Sequence, residues 1–344
     1  MRRALVLGSL LAVLAGGVVG MGLTGVVESW LFYFPSRRAF VDAPGAEAVT
    51  FETPDGLRLS GWFWSGADTF EPGGDVALAV GADEEEPVTP LVAPDAQGRR
   101  PTILVAHGNA GCLPDHDEFC AFLADYGFNV LLFDYRGYGR SDLPTRGLRR
   151  DDLVIDAQAA LEYLLTREDV DPERVGLLGY SLGGNIGLAM AGDEPRVRAV
   201  ATLSTFSRWQ AVASDHAGWL GPMLIRPGLD AADSVTRLGD RPYLIVHGDR
   251  DDIVPYRHSE VLEQAASAAG VPTERITVQG ADHLNMTGRR EVRDAMAAFF
   301  AGALTRPAGG VSASGGTAPA GEGRVSDEPE SPETSGANPG AALP

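Results

Sequence analysis

A chain of 344 residues, 44% of them hydrophobic, can bury a sizeable core as one large or two ordinary domains. Its net charge of −19 argues against a nucleic-acid partner, which needs clustered cations to replace phosphate counterions. It has no lysine, which excludes P-loop and Schiff-base chemistry.

Much of the acidity is local. The stretch 66–98 holds eight acids and no base, and residues 306–344 hold five acids against two arginines. What remains is ordinary for a soluble domain.

At the N-terminus, Arg2-Arg3 precede an uncharged run at 4–27, closed by Glu28. As a helix this run would reach about 36 Å, enough to cross a hydrocarbon core of about 30 Å. The arginines on its near side predict an inside N-terminus and a domain outside the cytoplasm. The alternative is a cleaved signal peptide, with Val13-Leu14-Ala15 as a small-residue cleavage site and a secreted product. Residues 1–29 are therefore read as an anchor or leader and 30–304 as the folded domain.

Alternation over 51–64 around Pro54-Asp55-Gly56 predicts a β-hairpin. The stretch 66–98, rich in Gly, Pro, Asp and Glu, reads as a disordered insertion. Apolar runs at 102–106, 130–133, 175–178, 200–203, 243–246 and 275–278 then recur, short and rich in Val, Ile and Leu. Strands buried on both faces of a parallel sheet have that composition.

Between the runs lie helical periods. One runs through Leu153, Ala157, Ala160, Leu161 and Leu164. A second runs through Val261, Leu262, Ala265 and Ala269, closed by Gly270, and a third through Val292, Met296, Phe299 and Ala303. From 305 onward the composition is that of a disordered tail. The alternation predicts an α/β fold with a mostly parallel sheet and reactive loops at the carboxyl ends of strands. Cys112 and Cys120 lack a metal-site spacing; they are a buried thiol pair or, in an oxidising compartment, a disulfide.

The stretch VGLLGYSLGG runs from a buried strand through Gly179-Tyr180-Ser181-Leu182-Gly183 into a helix. This is G-x-S-x-G in the strand–turn–helix setting of a nucleophile elbow, which exposes Ser181 at the mouth of a sheet. A serine hydroxyl needs a base, and the base an orienting acid. In hydrolases with this elbow the chain order is Ser, acid, His. Of six histidines, His107 and His247 open His-Gly turns, while His116, His216 and His258 fall in helices or in the 205–240 connection. Only His283 follows the last strand, and it is the expected base.

The acid should lie in HGDRDDIVP, which offers Asp249, Asp251 and Asp252. A calcium loop does not explain this cluster. Counted from Asp249, apolar Ile253 and Val254 stand where an oxygen ligand and the turn glycine belong. Neighbouring carboxylates raise one another's pKa, so one of the three should bond the histidine while the others stay solvated. The oxyanion donors should be the backbone N–H of Leu182 and one N–H from the loop after the first core strand.

Together HGNAG at 107–111, DYRGYGRS at 134–141, GYSLGG at 179–184, HGDRDDIVP at 247–255 and GADHLN at 280–285 resemble the lidless α/β-hydrolases. More narrowly, the chain is similar to a membrane-anchored group that includes eukaryotic protein depalmitoylases and bacterial relatives. LFYFPSR at 31–37 matches that group's segment after the anchor, and the resemblance spans about residues 30–304. It implies an α/β-hydrolase fold with no large lid. It implies that Asp251, fourth after the histidine of His-Gly, is the acid, that Asp249 and Asp252 serve the turn, and that Asn109 is the second oxyanion donor. It also implies that the Asp134–Arg136 loop is structural. Cys112 departs from the pattern, where a polar residue is usual.

The function so implied is a serine hydrolase of esters or thioesters, working through an acyl-enzyme on a small or acylated substrate. No metal or organic cofactor is expected, and the membrane is the expected partner through the N-terminal helix. A serine peptidase and a non-catalytic binding scaffold are the alternatives.

Overall fold

The structure, a computed structural model, describes residues 28–29, 32–66 and 88–305. The expected anchor or leader at 4–27 and the tail at 306–344 lie outside the described residues. Among the described residues, no helix is long and apolar enough to cross a membrane.

Eight strands form one sheet: β1 (Glu47–Glu52), β2 (Arg58–Trp64), β3 (Arg100–Ala106), β4 (Asn129–Asp134), β5 (Val170–Tyr180), β6 (Val197–Leu203), β7 (Tyr243–Gly248) and β8 (Thr273–Val278). Their order is β1-β2-β4-β3-β5-β6-β7-β8. β1 and β2 are the hairpin expected around Pro54-Asp55-Gly56, and β2 runs antiparallel to β4. All other pairings are parallel. The order reverses between β3 and β5, so loops leaving their carboxyl ends diverge there and open a crevice.

The apolar runs are continuous because both faces are covered. In β3, Ile103 and Val105 point to one core while Leu104 and Ala106 point to the other. Helices α1 (Arg150–Thr166), α2 (Leu182–Asp193) and α6 (Arg257–Ala268) pack on the Leu104 face. Helix α7 (Arg290–Leu304) and the 3₁₀ turns between Leu113 and Ala124 cover the opposite face. The 204–242 connection carries α3 (Trp209–Ala217), α4 (Gly221–Leu224) and α5 (Ala231–Ser234).

Three expectations are corrected. The stretch 66–98 is not disordered throughout: within its described part, Val92 is buried, and the N–H groups of Leu91 and Val92 donate to Tyr126 O. The buried stripe of α6 is His258, Ser259, Leu262 and Ala266, while Val261 is exposed. Polar residues can occupy that stripe because both are bonded, His258 to Ser207 and Asp215, and Ser259 to Tyr256 O. In α7 it is Phe300 that is fully buried, with Phe299 half-buried beside it.

Candidate active site

Ser181 sits between β5 and α2 with φ 53° and ψ −113°, a conformation rare for a residue with a side chain. Its N–H donates to Leu203 O of β6 at 2.8 Å, which ties the turn to the neighbouring strand. The sharp turn brings α2 against β3. A methyl group on Gly183 would lie 1.9 Å from Ala106 O, so only glycine fits there. Leu182 is the first residue of α2, where a backbone N–H has no intrahelical partner and the helix dipole favours negative charge.

Asp251 and His283 come from the loops after β7 and β8, which run side by side in parallel register. His283 Nδ1 lies 2.7 Å from Asp251 Oδ2. The other oxygen, Oδ1, accepts the N–H groups of Ile253 at 3.0 Å and Val254 at 2.7 Å. Burial pulls the Asp251 pKa up, but hydrogen bonds from His247 and His283 outweigh it and hold the carboxyl well below the usual range. The carboxylate is therefore charged and accepts the Nδ1 proton, so that in the neutral imidazole the lone pair lies on His283 Nε2. Tyr180 O–H donates to His283 O at 3.1 Å and steadies that loop.

The other acids of the 249–252 cluster are used differently. Asp249 Oδ1 accepts Gly280 N–H at 2.5 Å, and Asp252 is exposed. Gly248 allows the two loops to meet, since a methyl group there would lie 2.3 Å from Ala281 O.

Asn109 follows β3. Its carbonyl accepts Phe34 N–H and Tyr138 O–H, each at 2.9 Å, and its side-chain amide donates to Phe32 O at 3.1 Å. None of these contacts uses its backbone N–H. Asn109 and Ser181 line two cavities that meet at the serine. One, of about 420 Å³, also takes Leu182 and is walled by Phe32, Phe206, Val212, Leu224 and Ile225. The other, of about 460 Å³, also takes His283, Tyr180, His116, Arg38 and Asp115. Ser181, His283 and Asp251 are 7%, 6% and 5% exposed, so the first two face these cavities from a largely dry setting.

The remaining histidines have other partners. Burial holds His107 well below its ordinary value and pushes His116 down to about 4, so both rings are neutral. They stack at 4.7 Å and bond to Gly108 O and Ala110 O. His247 bonds Val254 O at 2.8 Å, behind Asp251. His216 lines the apolar cavity and bonds Ile253 O. His258 has the residue types of the site in miniature, with Ser207 at 2.9 Å and Asp215 at 2.7 Å. Both the N–H and the hydroxyl of Ser207 reach one ring nitrogen, and neither Ser207 nor His258 borders either cavity; the group fastens α3 to α6.

Arg136 pairs with Asp156 and Asp55, not with Asp134. Cys112 and Cys120 are buried free thiols, and burial pushes the Cys112 thiol up to about 11. No group of three or more potential metal ligands forms among the described residues. The walls of the apolar cavity were not among the residues expected from the sequence. The uncharged stretch AGWLGPMLI at 217–225 was the signal that was there to find.

A serine at a helix N-terminus, near an imidazole oriented by a carboxylate, is an arrangement for base-assisted nucleophilic attack. The profile of the Prolyl oligopeptidase family matches residues 116–306. The uncharacterized protein YfhR of Salmonella typhi is 31% identical over 290 residues, covering 80% of this chain and 88% of that one. The alpha/beta hydrolase domain-containing protein WAV2 of Arabidopsis thaliana is 27% identical over 285 residues, covering 74% and 80%. An esterase of Pyrococcus furiosus superposes with a TM-score of 0.61 at 16% identity, covering 79% and 98%, a likeness of fold.

Proposed function

Because this chain belongs to the prolyl oligopeptidase family of α/β-hydrolases, a family of serine hydrolases, we propose that it cleaves carboxylic esters or thioesters through an acyl-enzyme. Ser181 is the nucleophile, His283 the general base and then acid, and Asp251 the group that orients and charges the imidazole. The observation that carries this reading is His283, oriented by Asp251, bordering the same cavity as the strained Ser181.

Ser181 Oγ attacks the carbonyl carbon as His283 Nε2 takes its proton. The negative charge that develops on the carbonyl oxygen is met by the backbone N–H groups of Leu182 and Asn109. His283 then returns the proton to the departing alcohol or thiol, and a water activated by the same imidazole releases the acid. The apolar cavity receives the acyl chain, and the cavity that holds Arg38 and His116 receives the leaving group. The uncharged run at 4–27 holds the enzyme at a membrane, with the domain outside the cytoplasm.

The test is fluorophosphonate labelling of the full chain beside Ser181→Ala, followed by ester, thioester and peptide series. Labelling lost in the variant, with ester or thioester turnover, supports the proposal. A folded wild type that stays unlabelled overturns it. Turnover of peptides alone would make the protein a peptidase, the second reading that the family's name favours.

A further inference from the structure

Exposed apolar side chains lie in the wall of the apolar cavity and beside wall residues in the chain. Phe34 and Ile253 line the cavity and are still 53% and 48% exposed. Trp219, Leu220 and Met223 are 77%, 46% and 47% exposed, in a stretch whose Ala217, Gly221 and Leu224 form the cavity wall. Single exposed apolar residues need no explanation, but several gathered at one cavity mark an interaction surface.

The position of this surface in the chain says what it meets. The 24 uncharged residues of the 4–27 run end at Glu28. Glu28 is fully buried, receives Arg150 Nε at 2.9 Å and the Tyr33 hydroxyl at 2.9 Å, and so pins the end of the run to the domain. Phe32, only five residues beyond Val27, is already cavity wall. Five residues of extended chain span at most about 18 Å. A bilayer that holds the run therefore lies within that reach of the cavity wall at Phe32. Residues 217–225 carry no charge, and an acidic protein gains nothing from anionic head groups, so the surface that fits is a zwitterionic one. A tryptophan at its edge suits the boundary between head groups and hydrocarbon.

We propose that the rim formed by Phe34, Trp219, Leu220, Met223 and Ile253 rests on the surface of a lipid bilayer, so that an acyl chain passes from the bilayer into the cavity without crossing water. The passage of substrate rests on the acyl-hydrolase reading above; the docking does not.

The full chain is reconstituted in vesicles of palmitoyl-oleoyl phosphatidylcholine, with or without bromine on the acyl chains. The expected result is bromine quenching of an emission component that is missing in Trp219→Phe. In the same vesicles, Trp219→Ser/Met223→Ser should hydrolyse a bilayer-resident palmitoyl ester about tenfold more slowly, with p-nitrophenyl acetate turnover unchanged. Absence of Trp219-dependent quenching overturns the proposal. So does a conversion of dimer to monomer in the double variant without such quenching, which would make the rim a contact between copies. If neither ester is turned over by the wild type, the acyl-hydrolase reading fails while the quenching still decides the docking.

Discussion

His283 Nδ1 and Asp251 Oδ2 stand 2.7 Å apart although 32 residues separate them, and the carboxylate's second oxygen is held by the N–H groups of Ile253 and Val254. The acid is thus fixed on one side by its own turn and spends its other oxygen on the imidazole. Asp251→Asn should remove the charge that stabilises an imidazolium and permit the wrong tautomer. We expect kcat for an activated ester to fall about a thousandfold to ten-thousandfold, with thermal stability close to wild type. Steady-state kinetics beside a melting curve checks it, and near-normal kcat would remove Asp251 from the mechanism.

The elbow depends on the close approach of Gly183 to Ala106 O. Gly183→Ala should force α2 away from β3 and destabilise the protein by roughly 1–3 kcal/mol. It should also lower labelling of Ser181, because Leu182 N–H moves with the helix. Denaturant unfolding measures the first effect and fluorophosphonate labelling the second.

On the proposed reading, in which the apolar cavity receives the acyl chain, the cavity sets an acyl-length preference. Leu224 lines it from a half-buried position, and Leu224→Trp shortens it. Each methylene that finds room is worth about 0.8 kcal/mol, or about fourfold in kcat/KM. In an ester series, wild type should gain with chain length until the cavity is full. The variant should reach its plateau several carbons earlier and keep its acetate activity. Parallel curves would show that the chain lies elsewhere.

Glu28 and Arg150 form a buried ion pair, with Arg150 also 4.0 Å over the Trp209 ring. Removing one partner leaves the other charge uncompensated in a dry site. Glu28→Ala should cost about 3–5 kcal/mol, read as a lower urea midpoint. A loss under about 1 kcal/mol would mean that water reaches Arg150.

Burial pushes the Asp134 carboxyl from 3.8 up to about 8, and its Oδ2 has no partner. The acid is therefore neutral when folded and charged when unfolded across that range. Its contribution to stability is complete below the unfolded value and is lost as pH rises through about 8. Asp134→Asn stays neutral throughout. The stability of wild type relative to the variant should fall between pH 4 and 8, with a slope of at most about 1.4 kcal/mol per pH unit. The neutral His116 shifts both proteins alike and cancels in the difference, whereas His107, with Nε2 3.6 Å from Asp134 Oδ1, is coupled to the substituted group. A flat difference would mean that Asp134 ionises in the folded state.

The strands and the Ser181 turn were legible because each is a local matter. A run such as ILVA can be continuously apolar only if both faces of its strand are covered, and GYSLGG between such a strand and a helix admits few conformations. The stripe of α6 was misread because His258 and Ser259 are buried through partners on distant segments, which apolar periodicity cannot register.

Sequence by itself determined the sheet-and-helix alternation, the elbow, and a histidine placed after the last strand, all of which depend on neighbours a few residues apart. Only the tertiary structure decided which of three adjacent aspartates turns inward, for in local pattern Asp249, Asp251 and Asp252 are nearly equivalent. Their fates separate when the β7 and β8 loops close over Gly248. Tertiary structure also turned the uncharged stretch 217–225 into the wall of a cavity. Packing between segments far apart in the chain makes those choices, and residue order constrains such packing only through the folded whole.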